Sequence, residues 1–89
     1  MNFVAIIGIV DQVTKLPESN DAIVNVKVEK TATNSSDDDW YDLVPVSINR
    51  ETFATEMKQI SHGQIVGIKG RINFVQNKLC LIGERIQVF

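Results

Sequence analysis

The sequence is poor in the residues that mark enzymes, secreted scaffolds and membrane spans. It has one cysteine, Cys80, which cannot form an internal disulfide. That excludes a covalent framework, fits a reducing compartment and leaves a buried structural thiol as the expected role. The single histidine, His62, falls at an expected helix end, where its charge suits the dipole. No phosphate loop, zinc spacing or nucleophile motif is present, so the reading is of a non-enzymatic protein with no cofactor and no metal. No apolar run approaches the about 20 residues of a membrane span. The apolar stretch Phe3–Val10 lacks a basic leader and a small-residue cleavage site, so it does not read as a signal peptide. Positive charge is not in excess either. The formal net charge is −2, so the overall field does not draw the chain to nucleic acid, and any such binding must rest on a local basic face.

What remains is a short globular chain. Its 89 residues make one domain, residues 1–89, and 44% of them are apolar, which excludes disorder. A domain this short buries only roughly 60–65% of its unfolded surface, so an oligomer would help to stabilise it.

Periodicity divides the chain into five strands and one helix. The first strand spans Asn2–Val13, with Phe3, Ala5, Ile7 and Ile9 on one face and Val4, Ile6 and Val10 on the other. Both faces are apolar, so one lines a core and the other needs a second contact, such as a partner subunit. Gly8 within it suggests a bulge or tight bend. Leu16–Asp21, with Pro17, Ser19 and Asn20, is a turn. The second strand, Ala22–Thr33, alternates Ala22, Val24, Val26 and Val28 against Asn25, Lys27 and Glu29, leaving one wet face. A polar loop follows over Thr33–Asp39. The third strand, Trp40–Ile48, places Val44, Val46 and Ile48 with Trp40, and Tyr41, Leu43, Pro45 and Ser47 opposite; Pro45 implies an edge or a bulge.

Asn49–His62 is the one expected helix. Asn49 is its N-cap, Glu51 lies in its first turn, Phe53, Met57 and Ile60 form its apolar stripe, and Gly63 follows as C′ residue. The last strands, Gln64–Val75 and Lys78–Phe89, join at a short turn, Gln76-Asn77. In the fourth, Val66, Ile68, Ile72 and Phe74 face one way and Ile65, Lys69, Arg71 and Asn73 the other; Gly67 and Gly70 interrupt it as barrel bends do. Five strands with a helix between the third and fourth make an all-β, five-stranded OB-fold barrel, whose exposed face commonly binds oligonucleotides or oligosaccharides. Another small barrel with a helical plug, such as an SH3-like fold, is the second reading.

Five segments then resemble the bacterial and phage single-stranded DNA-binding proteins. Met1-Asn2-Phe3-Val4 through Ile7-Gly8 is similar to that family's opening strand, and Ala22-Ile23-Val24-Asn25-Val26-Lys27-Val28 to its second. Trp40-Tyr41-Asp42-Leu43-Val44 resembles the tryptophan that begins its third strand. Ile48-Asn49-Arg50, with Phe53-Ala54, resembles the entry to its helix. Gly63-Gln64-Ile65-Val66-Gly67-Ile68-Lys69-Gly70-Arg71-Ile72 resembles the segment after it. The resemblance spans nearly the whole chain. It implies single-stranded DNA binding with little sequence preference, in replication, recombination or repair, in the cytoplasm of a bacterium, with replication proteins as further partners. The pattern departs from the family's in three places. Ile48 stands where the third strand usually ends on an aromatic, Lys30–Thr33 hold no aromatic, and the family's acidic tail is absent because the chain stops at Phe89.

Single-strand binding needs flat side chains for bases and cations for phosphates. Trp40 is the leading stacking residue, with a partly buried core tryptophan as the alternative. Phe74, near the last hairpin, either stacks on a base or follows Ile72 into the core, and core is favoured. Lys27, Lys30, Lys69, Arg71 and Lys78 are the phosphate candidates, although alternating charge is also what any solvated strand carries. Asp37-Asp38-Asp39, with Asp42, reads as a solvated loop; it lacks the ligand spacing of a Ca²⁺ site and would repel a phosphate backbone. The doubly apolar first strand points to a dimer or tetramer. A protein-interaction subunit without DNA binding is the second functional reading, and oligosaccharide binding a third.

Overall fold

A computed structural model describes residues 2–30 and 40–89. The expected loop Thr33–Asp39, its aspartate run and the last residues of the expected second strand lie outside the described residues. The elements are β1 (Val4–Lys15), β2 (Asp21–Glu29), β3 (Tyr41–Asn49), α1 (Ala54–Gln59), β4 (Ile65–Val75) and β5 (Lys78–Val88). The strands close into a barrel in the order β1-β2-β3-β5-β4, which with one helix between β3 and β4 is an OB-fold. No helix among the described residues is long and apolar enough to cross a membrane.

Alternation sorts the side chains as the sequence implies. Val10, Val24, Val26, Val46, Ile48, Val66 and Ile68 are all at most 1% exposed and form the core. On β1 the outward set is Ala5, Ile7 and Ile9, continued by Phe3 just before the strand, and Val4 and Ile6 pack against the core. Closure depends on β1 pairing twice. Its first half runs antiparallel to β4, from Val4↔Gly70 to Ile9↔Ile65. Its second half runs antiparallel to β2, from Ile9↔Lys27 to Lys15↔Ala22. β5 then pairs along β4 and meets β3 in a short parallel ladder, Val46↔Leu81 and Ser47↔Ile82.

The bulge expected at Gly8 lies elsewhere, between Val10 and Gln12, where β1 leaves β4 for β2. Gly8 serves a close approach instead: a Cβ there would sit 2.7 Å from Val26 Cγ1. A second bulge, between Lys69 and Gly70, bends the β4–β5 pair. Pro45 stands just before the parallel ladder, where β3 has the edge its sequence implies.

The helix is shorter than expected. Only Ala54–Gln59 are helical, and the residues before them form a turn. Asn49 does cap, but it caps that turn: its Oδ1 accepts from the Glu51 N–H (3.0 Å) and the Thr52 N–H (2.9 Å). Ile60 takes an extended ψ of 121° and ends the helix, because its side chain must enter the core. Gly63 therefore is not the C′ residue; at φ +88° it turns the chain into β4 and donates to the Val10 carbonyl at 2.8 Å. His62 lies in the same turn, its Nδ1 2.7 Å from the Asp11 carbonyl. Phe53, Met57 and Ile60 pack on the core as the expected stripe.

Candidate nucleic-acid interface

Two ribbons outrun the barrel. The β1–β2 ladder stops at Ile9↔Lys27, so Val28–Glu29 pair only with Tyr41–Asp42, and the Lys30 N–H extends this ribbon to the Trp40 carbonyl at 2.9 Å. On the other side, the β1–β4 ladder reaches Gly70 and the β3–β5 ladder starts at Leu81. Asn73–Val75 and Lys78–Cys80 thus have only each other, joined by Gln76 and Asn77, both at positive φ (53° and 63°), as a two-residue hairpin turn requires. The Asn2 side chain adds one step to β4: it accepts from the Ile72 N–H at 2.9 Å and donates to the Ile72 carbonyl at 2.7 Å. Because β3 and β5 are parallel, both ribbons project from the same end of the barrel.

The face that is core inside the barrel continues outward along these ribbons. On β4 it runs from Ile68 through Ile72 to Phe74, and exposure rises from 1% to 37% to 69%. On β5 it runs from Leu81 to Leu79, from 5% to 55% exposed. On β3 it runs from Val46 through Val44 to Asp42, and on to Trp40 just before the strand, which is 50% exposed. The core position favoured for Phe74 is overturned: the barrel has ended before that side chain is reached. At the mouth of the barrel, where the ribbons leave it, lies an apolar groove of about 180 Å³, lined by Val4, Ile6, Val44, Ile72, Leu79 and Leu81. Cys80 borders it, half-buried, its Sγ 3.8 Å from the Pro45 carbonyl.

The structure divides the sequence-predicted site residues among three surfaces. Trp40 and Lys30 sit on one ribbon and Phe74 and Lys78 on the other, flanking the open end. Lys27 lies on the outer face of β2, opposite Leu43. Lys69 and Arg71 lie on the outer face of β4, around the barrel from both. Several of these cations are already occupied. Lys27 pairs with Asp11 at 3.5 Å, Lys30 with Asp42 at 3.6 Å and Arg71 with Glu84 at 3.8 Å. Lys69 Nζ stands 5.5 Å from the Phe3 ring centroid, a cation–π distance. Of the predicted phosphate residues, only Lys78 has no such partner among the described residues.

Sequence reasoning missed part of the surface. Tyr41 (48% exposed) and Leu43 (57%) share the outer β2–β3 face with Asn25 and Lys27. The signal was present, since Tyr41, Leu43 and Pro45 share a parity opposite to the core. The apolar outer face expected of β1 extends onto β4, where exposed Ile65 joins Phe3, Ile7 and Ile9, and Phe89, which sequence reasoning had not placed, adds to it. Lys69 and Arg85 border it, beside a cleft of about 440 Å³ that Phe89 also lines. Gln64 holds Phe89 there through the Phe89 carbonyl.

No protein-family model and no curated protein matches the sequence. Solved structures do match by shape. A small single-stranded DNA-binding protein from Mycoplasma pneumoniae superposes with a TM-score of 0.74 at 13% identity, covering 98% of this chain and 92% of that one. The dimeric N-terminal domain of PriB from Thermoanaerobacter tencongensis gives 0.70 at 21% identity, over 99% and 96%. The S. pombe Stn1-Ten1 complex gives 0.73 at 14% identity, covering all of this chain, which spans 59% of that one.

Proposed function

We propose that this chain binds single-stranded DNA, without catalysis and with little sequence preference. One observation carries the reading: Trp40 and Phe74 stand exposed on two ribbons flanking an apolar groove, instead of filling the core. Bases stack on such rings whatever their identity, at about 1–3 kcal/mol per base. Lys30, Lys78 and, on the neighbouring faces, Lys27, Lys69 and Arg71 hold phosphates once the strand displaces their present partners. The single-stranded DNA-binding proteins among the structural neighbours support the same reading. The protein acts as a homo-oligomer, a dimer or tetramer, through the outer face of β1, where exposed Phe3, Ile7 and Ile9 adjoin Ile65 and Phe89. It works in replication, recombination or repair, in the cytoplasm of a bacterium, with replication proteins as further partners.

The ion pairs favour a second reading, a protein-interaction subunit. With Lys27, Lys30 and Arg71 each held by a carboxylate, the surface offers a phosphate backbone few ready cations. Titration of a dT oligonucleotide, following Trp40 fluorescence at low and high salt, separates the two. Quenching that weakens with salt is the expected result. A folded protein with neither quenching nor a change in oligonucleotide anisotropy would overturn DNA binding and leave the interaction subunit.

A further inference from the structure

The helix end of the barrel gathers three cations around one concavity. Lys15 at the end of β1, Arg50 just after β3 and Lys58 on α1 line one pocket of about 320 Å³ with Ala54 and Met57, and no acidic residue lines it. None of these cations pairs with a carboxylate among the described residues, in contrast to Lys27, Lys30 and Arg71. Arg50 is fixed in place by main chain. Its Nη2 donates to the Ser19 carbonyl at 2.7 Å and the Leu16 carbonyl at 3.3 Å, and its own N–H donates to the Asn20 carbonyl at 2.7 Å. Asn20 Nδ2 donates to Glu51 Oε1 at 2.8 Å, so this neighbouring carboxylate is engaged by the turn. Arg50 Nε is buried without a partner. The guanidinium is thus held rigid with its charge uncompensated, the arrangement in which a planar fork loses least entropy on binding an oxyanion. Like charges around one concavity repel, and a phosphate among them removes that repulsion.

We propose that Lys15, Arg50 and Lys58 form a phosphate-binding site, and that it receives the backbone of a strand whose bases lie at the opposite end of the barrel. The second clause rests on the DNA-binding reading above; the first does not. Trp40 and Arg50 bracket β3, so at about 3.3 Å per residue the two ends lie about 30 Å apart along the strand. A short oligonucleotide held between the ribbons cannot reach the site, and a longer one can.

The test compares wild type with Lys15→Gln/Lys58→Gln, both exposed positions, using dT oligomers of about 4 and about 16 nucleotides, the range for one OB barrel. The expected result is a roughly tenfold loss of affinity for the long oligomer at low salt, with less than a twofold change for the short one. The long oligomer's log–log salt slope should flatten by about 1.4, at about 0.7 for each phosphate that is no longer neutralised. Unchanged affinity for the long oligomer, or equal loss for both lengths, overturns the strand path. If wild type binds neither oligomer, the DNA reading fails, and inorganic pyrophosphate then decides the site. NMR shifts centred on Lys15, Arg50 and Lys58 that vanish in the double variant keep it as a site for free phosphates; no shifts overturn it.

Discussion

The two ends of the barrel are built from similar apolar residues and treat them oppositely. At the helix end, Phe53, Met57 and Ile60 fold over the core, and Ile60 is 8% exposed. At the ribbon end, Phe74 and Trp40 carry the same inward parity but remain 69% and 50% exposed. The difference is one of partners. α1 lies across one end, whereas at the other the strands run on past their neighbours, and none of the described elements covers the exposed core face. One end therefore contributes stability, and the other leaves apolar surface exposed, where the proposed function places the bases.

The sharpest way to break this contrast is to exchange the consequences of truncation. Ile60→Ala should lower stability by about 2–5 kcal/mol, as buried Ile→Ala changes do, and leave the oligonucleotide affinity of the folded fraction intact. Urea unfolding and titration of the same sample would measure both. Trp40→Ala and Phe74→Ala should do the reverse, each weakening oligonucleotide binding by about 1–3 kcal/mol, with thermal midpoints close to wild type. A large drop in midpoint for Phe74→Ala would return that ring to the core.

Smaller effects sharpen the picture at each end. Asn49→Ala removes the acceptor of the Glu51 and Thr52 N–H groups and should cost about 1 kcal/mol in urea unfolding. Asp42→Asn, at the ribbon end, releases Lys30 from a largely exposed ion pair. Such pairs are worth about 0–1 kcal/mol, so stability should barely move while oligonucleotide affinity rises, most clearly at low salt. Outside both ends, if β1 carries the proposed oligomer contact, Ile7→Asp on its outer face should shift sedimentation toward the monomer, with the barrel's circular dichroism unchanged.

Much of the barrel was legible because period-2 alternation survives from sequence to structure. Val24/Val26, Val46/Ile48 and Val66/Ile68 could lie nowhere else once their strands formed. The hairpin at Gln76-Asn77 was legible for the same local reason, a two-residue gap between alternating runs. Helix length was not. The stripe Phe53, Met57, Ile60 is right, but a pattern of side chains does not say where Ile60 must leave the helix to reach the core.

The sequence by itself determined the alternation of faces along β2, β3 and β4, the order of the elements and the class of fold, because these follow from local periodicity and turn chemistry. Only the tertiary structure decided where inward-facing residues lose their cover. Phe74 and Ile68 share one strand and one parity, yet 69% of one and 1% of the other is exposed, because exposure depends on which neighbouring strands extend that far. Charge followed the same rule. Lys27 and Lys15 look alike in sequence, and only folding put Asp11 beside the first and Arg50 and Lys58 beside the second.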